Sequence, residues 1–358
     1  MNDASPQTGL FDAARTDFDR MMQRNIKGLS YFASPAPVVG ATPKDTLISR
    51  GTMQLRHYRP LVEDVYRVPI LLVMATTNRG FIFDLAPGQS FVEFLLQRGY
   101  DVFMLEWEPP RADEKHLGMD DYVLDFLPSA VARVLEETGE PDLTVIGYCF
   151  GGVLSLLWAA LEGNDTLKNL VTFTTPVDFE KMTQFQTWSD KRFFDVDRIV
   201  ETFGNCPPEM LFSAFDNLRP GSTAAAQVRL WDNMWNDEFV KGYRMMERWS
   251  TDVLPLAGRY FVETTKQLMW DNALMDGTMD VAGRTVDFGT IKSSYLHLAA
   301  QHDHIVPSAA SAPLLGMIGS EDKQEIVLKG GHVSLVAGPN AVRRLWPQLD
   351  SWLQERSL

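Results

Sequence analysis

The chain has 358 residues, of which 45% are hydrophobic and 22% charged, a composition typical of one large globular domain with or without an insertion. Its formal net charge of -14 argues against binding to nucleic acid or to an anionic membrane surface, because both require clustered Lys and Arg. No apolar run approaches the roughly 20 residues that span a bilayer, so no transmembrane segment is expected.

The N-terminus and the cysteine content bear on the cellular compartment. The first 20 residues are polar and acidic, and they lack the basic start and apolar stretch of a signal peptide. Only two cysteines are present, Cys149 and Cys206, which does not suit a disulfide framework. We therefore predict a soluble, cytoplasmic protein in which Cys149 is free to react.

The first half of the chain has the pattern of a sheet covered on both faces. Residues 1–45 are predicted to form a helical arm without a core of its own, and residues 46–60 a pair of strands. Short, continuously apolar runs then predict parallel strands at 69–75, 101–107, 143–148 and 169–175. A helix is predicted over 122–139, where Pro128 requires a kink or a late helix start.

The alternation of strand and helix stops at Asp178 and resumes near Thr290. The intervening stretch is dense in Met and aromatic residues, including five tryptophans: Trp188, Trp231, Trp235, Trp249 and Trp270. Strand patterns return at 294–300 and 324–328, and a helix over 340–356 closes the chain. We interpret residues 46–178 and 291–358 as one α/β core, with residues 179–290 inserted as a mostly helical cap segment.

A candidate nucleophile lies at Cys149, in the pattern Gly147-x-Cys149-x-Gly151. The surrounding residues 145–152 read as strand, sharp turn and helix, a turn that exposes the nucleophile above the sheet. The helix that follows directs N–H groups at the sulfur, which favours the thiolate. Alternatively, Cys149 is a buried structural cysteine, since free Cys is often buried. Cys206 is best explained in that way.

An acid and a histidine follow later strands in the order of the α/β-hydrolase triad: Asp303 and then His332. His332 would take the thiol proton and Asp303 would orient the imidazole. Asp178, after another strand, is a rival acid. His304 is either a substrate contact or a solvated loop residue. Asp303 and its flanking histidines, His302 and His304, lack further metal-ligand spacing, so no metal site is predicted.

These motifs resemble those of the polyhydroxyalkanoate synthases, which polymerise 3-hydroxyacyl-CoA into polyester. "GYCFGG" (147–152) matches the G-x-C-x-G-G box of that family, and agreement continues in family order from about residue 40 to the C-terminus. Further matching segments are "TTNRGFIFDL" (76–85), "LVTFTTPVDFE" (170–180), "FGNCPPEMLFSAFDNLRP" (203–220), "DHIVP" (303–307) and "GGHVSLVAG" (330–338). The length, without a long N-terminal domain, resembles class III catalytic subunits, with class IV next.

The resemblance implies an α/β-hydrolase fold and a catalytic set of Cys149, Asp303 and His332. We expect a short-chain (R)-3-hydroxyacyl-CoA as donor and the hydroxyl end of a growing polyester as acceptor. Backbone N–H groups of Phe150 and Thr77 would stabilise the oxyanion. Asn78 and His304 are the candidates for substrate contact, and no metal or redox cofactor is implied, since coenzyme A is part of the substrate.

Three residues depart from the family pattern near the expected site. Glu106 and Glu108 replace the usual Asp and Gly around Trp107, and Ser334 replaces a common glycine after the histidine. The residues before the Asn-Arg pair, in "MATTNRG" (74–80), are more polar than usual. We expect these departures to bear on acyl-chain preference and polymerising activity.

The choice of a thiol over a hydroxyl favours acyl transfer. A CoA thioester passed to Cys149 becomes another thioester, so the exchange is nearly thermoneutral and the acyl group stays activated. Two alternatives stay open: a thiol hydrolase (thioesterase, dienelactone-type hydrolase or polyester depolymerase) and a non-enzymatic granule or scaffold relative. The resemblance also implies self-association, an accessory subunit, and a location at the surface of polyester granules. The Met and Trp residues of the cap segment favour a homodimer that associates through it, and the alternative is that these residues only pack the cap.

Overall fold

The computed structural model describes residues 6–31 and 33–358, and its centre is a sheet of eight strands. The strands are β1 (Lys44–Arg50), β2 (Met53–Tyr58), β3 (Ile70–Val73), β4 (Val102–Trp107), β5 (Leu143–Tyr148), β6 (Leu167–Phe173), β9 (Ser294–Ala300) and β10 (Lys323–Leu328); β7 (Asp280–Val281) and β8 (Arg284–Thr285) pair separately. Their order in the sheet is β1-β2-β4-β3-β5-β6-β9-β10. Strand β2 runs antiparallel to both of its neighbours, β1 and β4, and all other neighbouring strands of this sheet are parallel. Every strand predicted from an apolar run is present.

Helices cover both faces of this sheet and form the cap segment. The α-helices are α1 (Pro6–Tyr31), α2 (Phe91–Gln97), α3 (Leu127–Thr138), α4 (Phe150–Leu161), α5 (Thr183–Trp188), α6 (Val196–Phe203), α7 (Pro208–Asn217), α8 (Ser222–Asp232), α9 (Asp237–Thr251), α10 (Gly258–Glu263), α11 (Ser308–Ser311), α12 (Leu314–Met317) and α13 (Trp346–Gln354). Helices α5 to α10 all lie between β6 and β9, within the cap segment. Among the residues that the structure describes, no helix combines the length and apolar character needed to cross a membrane.

Pro128 is accommodated by a change of helix type. Residues Asp121–Phe126 form a π-helical turn that runs directly into α3, and Pro128 then lies in the first turn of that α-helix. Proline has no N–H group and cannot make an i→i−4 hydrogen bond. The wider π-helical turn before Pro128 therefore costs no such bond at that position. The same arrangement recurs at Pro347, where a π-helical turn over Ala341–Leu345 precedes α13.

The N-terminal arm packs against the cap segment. Lys27 on α1 donates to the Trp235 carbonyl (3.0 Å) and pairs with Asp237 (2.7 Å), while the Arg20 guanidinium lies 4.7 Å from the centre of the Trp235 ring. Arg244 donates back to backbone carbonyls just after α1. The described part of the predicted arm is therefore held against the cap segment, a placement that the sequence does not reveal, since periodicity does not show which surface an amphipathic helix covers. The first five residues lie outside the described part.

A buried histidine in β9 makes the fold sensitive to acid. His297 is fully buried, and its Nδ1 lies 2.9 Å from the Thr172 hydroxyl oxygen on β6. Burial lowers its pKa from 6.5 to about 4. Between these values the unfolded chain binds a proton that the native chain does not, so stability is full above pH 6.5, falls as the pH drops from 6.5 to about 4, and levels off below that.

We expect His297→Asn to reduce this acid sensitivity, because the amide does not titrate. The free energy of unfolding of the wild type, relative to that of the variant, should decrease by up to about 3 kcal/mol from about pH 7 to about pH 4. Urea unfolding at both values measures it. A difference in free energy of unfolding between wild type and variant that does not change with pH would contradict the role given to His297.

Candidate active site

The turn between β5 and α4 places Cys149 at the carboxyl edge of the sheet. Cys149 has φ 55° and ψ -120°, a strained conformation for a residue with a side chain. Its neighbours must be small, because a Cβ on Gly147 would lie 2.5 Å from the Gly152 Cα and one on Gly151 would strike the Val73 carbonyl oxygen. The Cys149 N–H donates to the Phe173 carbonyl (2.9 Å). These constraints account for the spacing of glycines around the cysteine.

Asp303 and His332 meet at the same edge of the sheet. Asp303 Oδ2 lies 2.7 Å from His332 Nδ1, and the carboxylate is fully enclosed. Its other oxygen accepts the N–H groups of Ile305 and Val306, both at 2.8 Å. The carboxylate is therefore held in one orientation by the loop after β9, and it presents one oxygen to the imidazole.

The charge state of His332 depends on both of its partners. Burial lowers the pKa of the imidazole, but the charge of Asp303 and the charge and hydrogen bond of Cys149 outweigh it and raise the pKa to about 10. The imidazole ring also packs 5.1 Å from the ring of Tyr148. This arrangement stabilises an imidazolium beside a cysteine sulfur and a buried carboxylate, which suits proton transfer from the thiol.

The rival acid Asp178 has other partners. Its Oδ1 accepts a hydrogen bond from Asn272 Nδ2 (3.0 Å), and Lys181 lies 3.8 Å from its second oxygen. Its backbone N–H donates to Ala310. Asp178 thus ties the start of the cap segment to its far end, and it is Asp303 that contacts His332.

An apolar cavity of about 170 Å³ opens above Cys149. The core contributes Thr76, Thr77, Cys149 and Phe150 to its wall, together with Ile305 and Val306. Its remaining lining comes from the cap segment and includes Met182, Phe185, Trp188, Phe215, Tyr260 and Phe261. Cys149 is half-buried beneath this roof. The cap segment therefore covers Cys149, the predicted nucleophile.

The other candidate residues lie around this cavity in different ways. Phe150 and Thr77, named for their N–H groups, both line it, whereas Asn78 and His304 do not. His304 is exposed, and Asn78 accepts a hydrogen bond from the Thr77 hydroxyl (3.0 Å). Their roles as substrate contacts stay predictions. Cys206 is fully buried, which raises the pKa of its thiol to about 12.

The departures from the family pattern have structural partners. Glu106 pairs with Arg56 on β2 (3.0 Å), and the Ser334 hydroxyl donates to the Gly331 carbonyl (2.7 Å). Glu108 pairs with Arg79 in the loop over residues 76–80 (2.7 Å). None of the three glutamate or serine side chains lines the cavity. Among the described residues, no cluster of three or more His, Cys, Asp or Glu side chains suits a metal ion.

The 76–80 loop is anchored to the cap segment, a connection that the sequence does not reveal. The Leu254 N–H donates to the Thr77 carbonyl (2.8 Å), and Trp249 Nε1 donates to the Arg79 carbonyl (3.0 Å). The Arg79 side chain bridges Glu108 on the core and Asp252 at the end of α9 (3.4 Å). The position of Thr77 beside Cys149 therefore depends on the cap segment.

We expect Arg79→Met to lower turnover of the expected acyl-CoA substrate by roughly ten- to a hundred-fold, since a small displacement of the 76–80 loop would move the Thr77 N–H group that is predicted to stabilise the oxyanion. The matched control is Arg133→Met, which removes an ion pair with Glu137 on α3, away from the cavity. Steady-state release of CoA measures both variants. Equal effects of the two substitutions would show that the Arg79 bridge does not position the loop.

Comparison with known proteins identifies the lineage of this site. Residues 83–339 match the alpha/beta hydrolase fold family, and residues 36–95 match the N-terminus of poly-beta-hydroxybutyrate polymerase (PhaC). A poly(3-hydroxyalkanoate) polymerase subunit PhaC from Allochromatium vinosum is 31% identical over 95% of this chain and 96% of its own length. The chain belongs to the poly(3-hydroxyalkanoate) polymerase family. The predicted α/β-hydrolase fold and family resemblance are confirmed.

Other members of the family differ in length. The corresponding subunit of Haloferax mediterranei is 31% identical over 89% of this chain, which spans 65% of that protein's length. Solved structures resemble the fold more distantly. A soluble variant of monoglyceride lipase from Saccharomyces cerevisiae has a TM-score of 0.53 at 12% identity, covering 91% of this chain and 97% of its own. At that identity the likeness shows the fold alone.

Proposed function

We propose that this polymerase-family protein polymerises (R)-3-hydroxyacyl-CoA, of short acyl chain, into polyhydroxyalkanoate through a thioester on Cys149. The observation that carries the proposal is the hydrogen bond between His332 and Asp303 next to Cys149, which itself lines an apolar cavity. In the first step His332 accepts the thiol proton, and the thiolate attacks the thioester carbonyl of the substrate. The CoA thiolate then leaves and takes the proton from His332, so that CoA is released as the free thiol.

The second half-reaction forms the ester bond. His332 removes the proton from a chain-end hydroxyl, and the oxygen attacks the acyl-cysteine carbonyl. The Cys149 thiolate leaves and regains its proton from His332. Backbone N–H groups of Phe150 and Thr77 would stabilise the oxyanion in both steps. The chemistry needs no metal or redox cofactor.

The apolar lining of the cavity supports transfer over hydrolysis. An acyl-cysteine is open to attack by water, and the cap residues over Cys149 limit the access of water to it. The lid must still admit CoA and release a growing chain, so we propose that it moves during the cycle.

Incubation of the purified protein with 3-hydroxybutyryl-CoA tests the function. We expect free CoA and insoluble polymer to appear together, and neither to appear with the Cys149→Ala variant. Release of CoA with free hydroxybutyrate and no polymer would instead identify a thiol hydrolase. Failure of a thioester analogue to label Cys149 would argue for a non-enzymatic relative.

We also propose that the protein works as a homodimer that associates through the cap segment, assisted by an accessory subunit, in the cytoplasm at the surface of polyester granules. Exposed apolar side chains on the cap segment support an interface there: Phe193, Phe203, Phe212, Val228 and Trp231. Light scattering with and without substrate tests the association, and Phe203→Asp should weaken it. A strictly monomeric protein that is fully active alone would refute both the homodimer and the need for an accessory subunit.

A further inference from the structure

The cavity above Cys149 contains one pair of hydroxyl groups that bond only to each other. The Thr76 hydroxyl donates to the Tyr260 hydroxyl across 3.4 Å, and within the described residues neither group has another hydrogen-bond partner. The hydroxyls of Ser189 and Thr264, which also line the cavity, are donated to backbone carbonyls of their own helices. That of Thr77 is donated to the Asn78 side chain, and among the described residues the Thr265 hydroxyl forms no hydrogen bond. The Thr76–Tyr260 pair therefore keeps hydrogen-bonding groups available in a cavity whose lining is otherwise largely apolar.

Tyr260 is held rigidly in this position. Its side chain is 1% exposed, its N–H donates to the Leu117 carbonyl (2.9 Å), and its ring packs 4.5 Å from that of Tyr122. Burial raises the pKa of the Tyr260 hydroxyl, and the nearby charge of Cys149 raises it further. The hydroxyl therefore keeps its proton at neutral pH and can donate it to an acceptor near Cys149.

An acyl group on Cys149 brings such an acceptor into the cavity. A 3-hydroxyacyl chain carries its carbonyl oxygen at C1 and a second oxygen at C3, either as a hydroxyl or as the ester oxygen of a growing chain. The mechanism proposed above assigns the C1 oxygen to backbone N–H groups of the core. The C3 oxygen would otherwise be buried against apolar cap residues, which is unfavourable for an unpaired polar group.

We propose that Tyr260, oriented by Thr76, is a specificity-determining residue that hydrogen-bonds the C3 oxygen of the acyl group on Cys149. The inference rests on the proposed function, because it presumes an acyl-cysteine with an oxygen at C3. It assigns discrimination between 3-hydroxyacyl and plain acyl chains to one hydroxyl from the cap segment. A site built to bond a substrate hydroxyl disfavours the analogue that lacks it, because its own polar group is then left unpaired.

The test compares 3-hydroxybutyryl-CoA with butyryl-CoA in wild type and Tyr260→Phe. We expect the variant to lower kcat/KM for acylation by the hydroxy donor about tenfold and to leave butyryl-CoA unchanged within about twofold. Single-turnover release of CoA and the mass of the acylated protein give both rates. Where butyryl-CoA reacts too slowly, its inhibition constant against the hydroxy donor replaces the rate, with the same expectation.

Two further variants separate the hydroxyl from the fold. Tyr122→Phe removes the hydroxyl of the buried neighbouring ring, which does not line the cavity, and should keep wild-type discrimination. Thr76→Val should lose discrimination in part, and Thr76→Ser should restore it. Melting temperatures confirm that each variant is folded.

The outcomes distinguish this inference from the function beneath it. The role of Tyr260 would be overturned if Tyr260→Phe lowered kcat/KM equally for both donors, or did not lower it for the hydroxy donor. Polymer formation by the wild type would still support the proposed function in that case. A wild type that releases no CoA from either donor would overturn the function itself.

Discussion

Cys149→Ser should lower the turnover of 3-hydroxybutyryl-CoA by at least about 10³-fold. A serine hydroxyl beside His332 is a poorer nucleophile than a thiolate, and it would hold the acyl group as an oxygen ester. That ester is lower in energy than a thioester and transfers its acyl group to another alcohol far less readily. Both half-reactions should therefore slow, and CoA release in a burst experiment measures the first of them directly.

The second cysteine supplies the matched control. Cys206 is buried in the cap segment and has no base beside it, so Cys206→Ala should keep turnover near the wild-type rate. Near wild-type turnover in Cys149→Ser, with Cys206→Ala also active, would contradict the covalent mechanism.

Asp303→Asn should lower turnover on the order of 10³- to 10⁴-fold, because the carboxylate both orients His332 and stabilises its charged form. The substitution removes the charge that opposes the effect of burial on the imidazole, so the pKa of His332 should fall well below its native value of about 10. Steady-state kinetics give the rate, and an NMR titration of His332 gives the second readout.

Asp178→Asn is the comparison that decides the identity of the acid. Its partners are Asn272 and Lys181, so the substitution should reduce thermal stability more than turnover, with a loss of less than about tenfold. If the folded Asp178→Asn variant were the slower of the two, the acid would have to be reassigned to Asp178.

The sheet and the nucleophile turn could be predicted from local sequence because their signals are local. A strand buried on both faces needs a continuous apolar run, and a sharp strand-to-helix turn needs small residues beside the nucleophile. Both conditions apply to neighbouring residues, so the segments 143–148 and 147–152 carry them in full. The same holds for Asp303 and His332 as residues that follow strands.

The sequence favoured Asp303 over Asp178 as the acid that contacts His332, and the tertiary structure shows how each carboxylate is held. Strands β6 and β9 are neighbours in the sheet, so Asp178 and Asp303 both emerge near the same edge. The loop after β9 donates two backbone N–H groups to Asp303, which holds it against His332, while Asn272 holds Asp178 elsewhere. Sequence order could place both carboxylates but could not assign their partners.

By itself, the sequence determined the order of strands along the chain, the strained turn at Cys149 and the family to which the chain belongs, because each rests on neighbouring residues or on an ordered set of motifs. Tertiary structure decided what covers the site: α1 on the cap segment, the cap segment over Cys149, and Tyr260 beside Thr76. These contacts join residues far apart in the chain, and an amphipathic helix pattern shows only that one face is buried. The partner of that face is chosen by the packing of the whole molecule.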